Sequence, residues 1–163
     1  MCFRLFLLLL IGTTSTFAAP NPAMTSRRSV YSIGLAAQIL FPDRLPDFRT
    51  SIPTYGLVAS MPVGNHSIQL QGNFGTSNEL TVYLFESNFR FHIDTPFVDY
   101  FLFAGIHYLY FDYLQDTHWR FGANAGPGIR LKLGENLDGQ VILKLYLQDK
   151  TILAFGGGLT FLL

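Results

Sequence analysis

Apolar and polar residues alternate with a period of two along most of the chain, in eight runs separated by turn-forming residues. The first, Tyr31 to Phe41, sets Tyr31, Ile33, Leu35, Ala37, Ile39 and Phe41 on one face and Ser32, Gly34, Ala36 and Gln38 on the other. The segment from Pro42 to Pro53 reads as a loop, and the second run covers Thr54 to Val63. Gly64-Asn65 reads as a tight turn into a third run, with Ile68, Leu70, Gly72 and Phe74 opposite Gln69, Gln71 and Asn73. The fourth sets Thr81, Tyr83, Phe85, Ser87, Phe89, Phe91 and Ile93 against Val82, Leu84, Glu86, Asn88, Arg90 and His92. The fifth, Phe97 to Phe111, is apolar on both faces, so alternation does not assign its sides. The sixth opposes Trp119, Phe121, Ala123, Ala125, Pro127, Ile129, Leu131 and Leu133 to Arg120, Gly122, Asn124, Gly126, Gly128, Arg130 and Lys132. The seventh sets Val141, Leu143, Leu145 and Leu147 against Gln140, Lys144, Tyr146 and Gln148, and the eighth runs from Thr151 to Leu163.

Runs of about 10 to 14 residues exceed the usual soluble strand of about 5–6 and match a tilted strand that crosses a bilayer, about 9–11. No stretch after the N-terminal segment is long and apolar enough for a membrane helix. In hydrocarbon every backbone polar group must be paired internally, which leaves a closed barrel. The pattern therefore predicts a transmembrane antiparallel up-and-down β-barrel of about eight strands. Its expected short turns are Gly64-Asn65, Asp94–Pro96 and Gly134–Asn136, with the loops at Pro42–Pro53, Gly75–Glu79, Asp112–Thr117 and Gln148–Lys150. In such a barrel the apolar face points outward and the polar face inward. Pro127, mid-run, removes a ladder donor and predicts a bulge or a place near the rim.

Composition adds export. Arg4, the apolar run Leu5 to Ile11 and the small residues before Ala18 read as a signal peptide, residues 1–18, leaving a barrel domain of residues 19–163. That apolar run is too short to anchor a protein in a bilayer. Cys2, the one cysteine, leaves with it, which excludes a disulfide scaffold and cysteine-rich metal sites. Eleven basic and eleven acidic residues give no electrostatic footprint for nucleic acid. The chain is 15% aromatic and only 13% charged, against a usual charged share of about 25%, as expected of a surface that meets lipid. Tyr83, Trp119, Tyr146, Tyr108, Tyr110 and Tyr113 lie near expected strand ends, where amphipathic rings favour the interface.

The last strand reads Gly156-Gly157-Gly158-Leu159-Thr160-Phe161-Leu162-Leu163. Gly158, Phe161 and Leu163 resemble the terminal signal by which the outer-membrane insertion machinery recognises barrel precursors, although Leu163 stands where an aromatic is usual. The segment Phe121-Gly122-Ala123-Asn124-Ala125-Gly126-Pro127-Gly128-Ile129-Arg130-Leu131 is similar to a penultimate-hairpin pattern. On these residues the whole mature chain resembles the small outer-membrane β-barrel domain family, which includes the transmembrane domain of outer membrane protein A and the opacity and Ail-type proteins. The resemblance implies an outer-membrane location and a monomer. It also implies outer-membrane lipids, lipopolysaccharide, the insertion machinery and periplasmic chaperones as partners.

Glu86, Asn88, Arg90, His92, Arg120, Asn124, Arg130, Lys132 and Lys144 would all face the lumen, with Glu86 and Lys144 at similar depth. They would form either a porin-like polar pore or a plug of ion pairs. An eight-stranded bore is just wide enough for side chains to fill, which favours the plug. The four histidines lack metal-ligand spacing, and neither a metal nor another cofactor is expected. Gly156 to Gly158 do not open a helix, so they read as close strand packing and not as a phosphate loop. The first expectation is a non-enzymatic envelope-structural or surface-interaction barrel. A second is a lipid A or phospholipid acyltransferase or deacylase, with His118, Asp116 and Ser77 at the outer rim as base, acid and nucleophile. A third is a soluble lipocalin-like periplasmic lipid carrier, with the apolar residues inside.

Overall fold

In the computed structural model, residues 30–42, 51–77, 80–94, 98–113, 116–149 and 151–163 are described. The expected signal peptide lies outside them. Eight strands follow in chain order: β1 (Ser32–Pro42), β2 (Ile52–Val63), β3 (His66–Ser77), β4 (Leu80–Asp94), β5 (Asp99–Tyr113), β6 (Asp116–Lys132), β7 (Leu137–Leu147) and β8 (Ile152–Leu162). Each pairs antiparallel with its neighbours in sequence, and β1 also pairs with β8, so the sheet closes. Closure leaves no strand edge with unpaired amides and carbonyls.

The register fixes how the strands lean. Passing from Leu84 across paired residues leads through Asn73, Gly56, Ala36, Gly158, Gln140, Arg130 and Asp99 to Asp94. One circuit thus returns to β4 ten residues along (94 − 84 = 10), a shear of ten. With a rise of about 3.3 Å per residue and a strand spacing of about 4.8 Å, eight strands with this stagger tilt by about 40°.

Several connections are tighter than the sequence implies. β3 runs to Ser77 and β4 starts at Leu80, while β5 runs to Tyr113 and β6 starts at Asp116. The turn-like residues in those places continue the ladder. Pro53 is not in the loop either, since it pairs with Ile39 near the start of β2. Gly64 has φ of 60°, the left-handed conformation that the two-residue connection between Val63 and His66 requires. Pro127 makes no bulge. Pairing of β6 with β7 is skipped at Gly126 and Pro127 and resumes in the same register, because Ala125↔Leu145 and Gly128↔Ile142 both sum to 270. The missing donor interrupts the ladder without displacing it.

The two ends of the barrel differ. At the turn mouth lie the chain ends of β1 and β8 and the β2–β3, β4–β5 and β6–β7 connections; the other eight strand ends, with four connections, form the loop mouth. The in/out pattern inverts that of a soluble protein. Leu35, Leu57, Phe85, Phe121, Leu145 and Phe155 are exposed outside, whereas Gln38, Gln69, Glu86, Asn88, Asn124 and Lys144 are buried inside. This overturns the carrier alternative, which required the apolar faces inside. It also settles β5: Phe101, Phe103, His107, Leu109 and Phe111 are buried in the lumen, and Tyr100, Leu102 and Ile106 point out.

Some strands approach too closely for any side chain. A Cβ on Gly105 would run into the Ser87 carbonyl oxygen and the Asn88 side chain of β4. Gly105→Ala is therefore expected to destabilise the barrel by about 1–3 kcal/mol. The check is a lower urea midpoint in detergent, and an unchanged midpoint would count against the close approach.

Candidate functional site

The lumen is layered. At its middle, Glu86 of β4 gathers donors from four strands. Lys144 Nζ of β7 lies 2.6 Å from Oε2, and Tyr146 donates its hydroxyl to Oε1 at 2.8 Å. Asn88 and Asn124 donate to Oε2 at 3.1 and 3.3 Å, and Asn73 to Oε1 at 3.5 Å. Lys144 also donates to Gln71 Oε1 at 3.1 Å, and Gln38 Nε2 donates to Tyr146 at 3.1 Å. The Glu86 and Lys144 side chains are 0% and 1% exposed. A buried carboxylate is costly unless its lone pairs are filled, and here the partners come from the facing wall as well as from neighbours.

One level nearer the turn mouth, Arg90 donates through Nη2 to Gln140 Oε1 at 2.9 Å and lies 4.4 Å from the centre of the Phe101 ring. At the mouth itself, His92 bridges Ser67 and Asp99. Ser67 Oγ is 2.9 Å from His92 Nε2, and His92 Nδ1 is 3.2 Å from Asp99 Oδ2. Arg130 donates to the same Asp99 oxygen and reaches Asp138 at 4.0 Å.

Towards the loop mouth the lumen turns apolar. Leu40, Ile52, Leu80, Val82, Leu84, Leu109, Phe111, Ile152 and Ala154 form one buried cluster with Tyr146. His107 sits between the two layers, edge-on to Tyr146, with Nε2 3.2 Å from Gln148 Oε1. Arg120 lies over the Phe111 ring at 5.5 Å.

Of the residues singled out from sequence, Glu86, Asn88, Asn124 and Lys144 come together in one network, Arg90 joins the layer below it, and His92 and Arg130 meet through Asp99. Arg120 and Lys132 lie apart from these contacts, Arg120 towards the loop mouth and Lys132 exposed at the turn mouth. His118 is exposed and packs near Phe111, with ring centres 6.4 Å apart. Ser77 ends β3 while Asp116 and His118 open β6, so β4 and β5 separate the proposed nucleophile from its base. His66 and Ser67 begin β3. His66 points outward against Phe89 and Phe91, whereas Ser67 points inward. Gly158, Phe161 and Leu163 lie on and beside β8, with Phe161 and Leu163 exposed. Among the described residues, no group of three His, Cys, Asp or Glu is placed to hold a metal ion.

Strand parity places Gln38, Gln71, Asn73, Gln140 and Tyr146 on the polar faces without marking them as partners, and it leaves Ser67 and Asp99 unmarked. Tyr146, expected as an interfacial ring, is instead buried in the lumen because its hydroxyl donates to Glu86.

No family model matches the chain, and no curated protein matches it. Solved structures do. Neisserial surface protein A is similar with a TM-score of 0.67 at 9% identity, over 80% of this chain and 96% of that one. The N-terminal β-barrel domain of Pseudomonas aeruginosa OprF gives 0.63 at 16%, over 81% and 97%. Ail, the attachment invasion locus protein of Yersinia pestis, gives 0.50 at 12%, over 82% and 97%. The chain has the fold of the small eight-stranded outer-membrane β-barrels. At such identities the likeness extends to the fold alone.

Because Glu86 and Lys144 have no access to water, removing one leaves a buried unpaired charge. Glu86→Ala is expected to cost about 3–5 kcal/mol, read as a lower unfolding midpoint in detergent. The double change Glu86→Gln with Lys144→Met, which leaves no charge stranded, should recover much of that loss. A double variant as unstable as Glu86→Ala would show that the ion pair is not the source.

Proposed function

We propose that this protein is an exported outer-membrane β-barrel with a sealed lumen, serving envelope structure or surface interaction through its outer wall and loops. The observation that carries this reading is the inversion of the sheet: an exposed apolar wall around a buried polar interior. An apolar surface wrapping the whole circumference is unstable in water and stable in lipid.

The outer aromatics support the same reading. Phe74, Tyr83, Tyr110 and Trp119 form a continuous outward row across β3 to β6, with ring centres 4.2 to 5.7 Å apart. A second outward group, His66, Phe89 and Phe91, lies towards the turn mouth. From Tyr83 to Phe91, at about 3.3 Å per residue and a tilt of about 40°, is about 20 Å along the barrel axis. That agrees with an apolar band about 25 Å tall, flanked by aromatic girdles. With the turn mouth towards the periplasm, the partners of this surface are outer-membrane lipids and lipopolysaccharide. Insertion would proceed through the barrel machinery and periplasmic chaperones after cleavage behind Ala18. The closed sheet needs no second copy to satisfy its edges, and the barrel acts as a monomer.

The layers support a seal. The Glu86 network cross-links the wall, and an apolar cluster lies between it and the loop mouth, a barrier to a permeating ion. The washed outer-membrane fraction should therefore contain the protein as a band that shifts between unboiled and boiled samples. The same material in planar bilayers should give no steady conductance. Recovery only in the soluble periplasmic fraction, without a shift, would sink the location; stable channel openings would sink the seal.

A further inference from the structure

The polar cluster at the turn mouth has a geometry that packing alone does not require. A carboxylate only accepts hydrogen bonds, so an Asp99 carboxylate at His92 Nδ1 assigns the ring proton to that nitrogen. In the neutral ring Nε2 is then the free acceptor, and it faces Ser67 Oγ at 2.9 Å. This is the relation of nucleophile, general base and orienting acid that serine acyl-transfer sites share, recognised by geometry and not by sequence order. The three residues stand on β3, β4 and β5, and the register puts each on the inner wall at the same end.

The surroundings hold candidate donors for a developing oxyanion. Arg90 is the cross-strand partner of Ser67, and its buried Nε–H has no hydrogen-bond partner among the described residues. Gln69, the next inward residue on β3, leaves a buried Nε2 unpartnered as well. Buried donors without acceptors are rare in native structures, and those of Arg90 and Gln69, at the register partner of Ser67 and at the next inward position of its strand, are a reason to look for a missing acceptor. Asp99 and Arg130 are 18% and 23% exposed, so the mouth opens to solvent at this point.

We propose that Ser67 and His92, with Asp99 as the positioning residue, form a catalytic site at the turn mouth that hydrolyses small or straight-chain carboxylic esters. The eight-stranded bore excludes bulkier acyl groups. Ser67 Oγ bonds to the ester carbonyl carbon while its proton passes to His92 Nε2, and the carbonyl electron pair moves to oxygen beside the Arg90 and Gln69 donors. Collapse breaks the bond to the leaving oxygen, which takes the proton from His92 and departs as alcohol. Water then gives a proton to His92 and attacks the acyl-Ser67 ester. The second collapse releases the carboxylic acid, and the proton returns to Ser67. The site differs from the outer-rim set of Ser77, Asp116 and His118 in residues and in the end of the barrel at which it lies, Ser67 and Ser77 standing at opposite ends of β3.

The test uses the full mature barrel in detergent, verified as folded by its unboiled band. A fluorophosphonate probe should add once, at Ser67, and Ser67→Ala should abolish the adduct. Hydrolysis of p-nitrophenyl acetate and butyrate should fall to the buffer rate in Ser67→Ala. Asp99→Asn, which permits the wrong ring tautomer, should lower kcat by about 10³–10⁴-fold with KM little changed. Because the mature chain has no cysteine, Ser67→Cys with iodoacetamide reports access separately. Alkylation of that variant without fluorophosphonate labelling of the wild type would mean a reachable but unactivated serine and would overturn the proposal. Failure of both reactions in the folded barrel, or hydrolysis that survives Ser67→Ala, would overturn it equally.

Discussion

The Glu86 carboxylate is the constraint around which the interior is arranged. Placed at the centre of a closed wall and cut off from water, it must find its whole hydrogen-bond shell among side chains. It does so by drawing Lys144 and Tyr146 from β7, Asn124 from β6, Asn88 from its own strand and Asn73 from β3. Neighbouring strands are already held by their ladders. What the carboxylate adds is a tie between strands that share no ladder, β4 and β7 above all, so that the cross-section cannot flatten without stranding a charge.

The layers on either side follow from that requirement. Between Glu86 and the loop mouth stands the apolar cluster built on Leu40, Val82, Leu84, Leu109, Phe111 and Ile152, which water would have to cross to compete for Glu86 and Lys144. On the other side the transition is gradual. Arg90 is held by Gln140 and the face of Phe101, and beyond it Asp99, Arg130 and Asp138 reach solvent. The polarity of the lumen thus rises from the loop mouth to the turn mouth, while the outer wall stays apolar throughout its middle.

The outline of this arrangement is legible in the sequence because a strand's side chains alternate without exception once the sheet is closed. Alternation in runs one, three, four, six and seven identified the two faces, and the charged members of the polar face, Glu86 and Lys144 among them, stood out by their cost in such a place. β5 was illegible on its own, since a strand whose lumen face carries Phe101, Phe103, Leu109 and Phe111 looks apolar on both sides. Its neighbours resolve it through register. Strand ends were misjudged for a different reason. Gly75, Thr76 and Ser77 are turn formers by type, yet near a mouth they can continue a ladder because nothing there demands an apolar side chain. The turn-mouth cluster was hidden more deeply. Ser67 and His92 are 25 residues apart and Asp99 a further 7, and only the pairing of three strands brings them together.

The direction of the polarity gradient limits where any chemistry inside this barrel can occur. A polar solute reaching the loop mouth meets a packed apolar cluster, and a lipid outside the wall meets side chains with no reactive group among the exposed aliphatics and aromatics. The turn mouth combines solvent access with groups that donate and accept hydrogen bonds in one network. Even there the roles divide by depth. Arg130, partly open to water, holds Asp99 from the outside, while His92 and Ser67 sit behind it with side chains turned inward. A carboxylate held on its outer side by a guanidinium and bonded on its inner side to an imidazole has little freedom to turn. That rigidity, supplied by three tilted strands and not by a loop, is what gives the Ser67–His92 contact a fixed direction, whether it serves to close the mouth or to activate the hydroxyl.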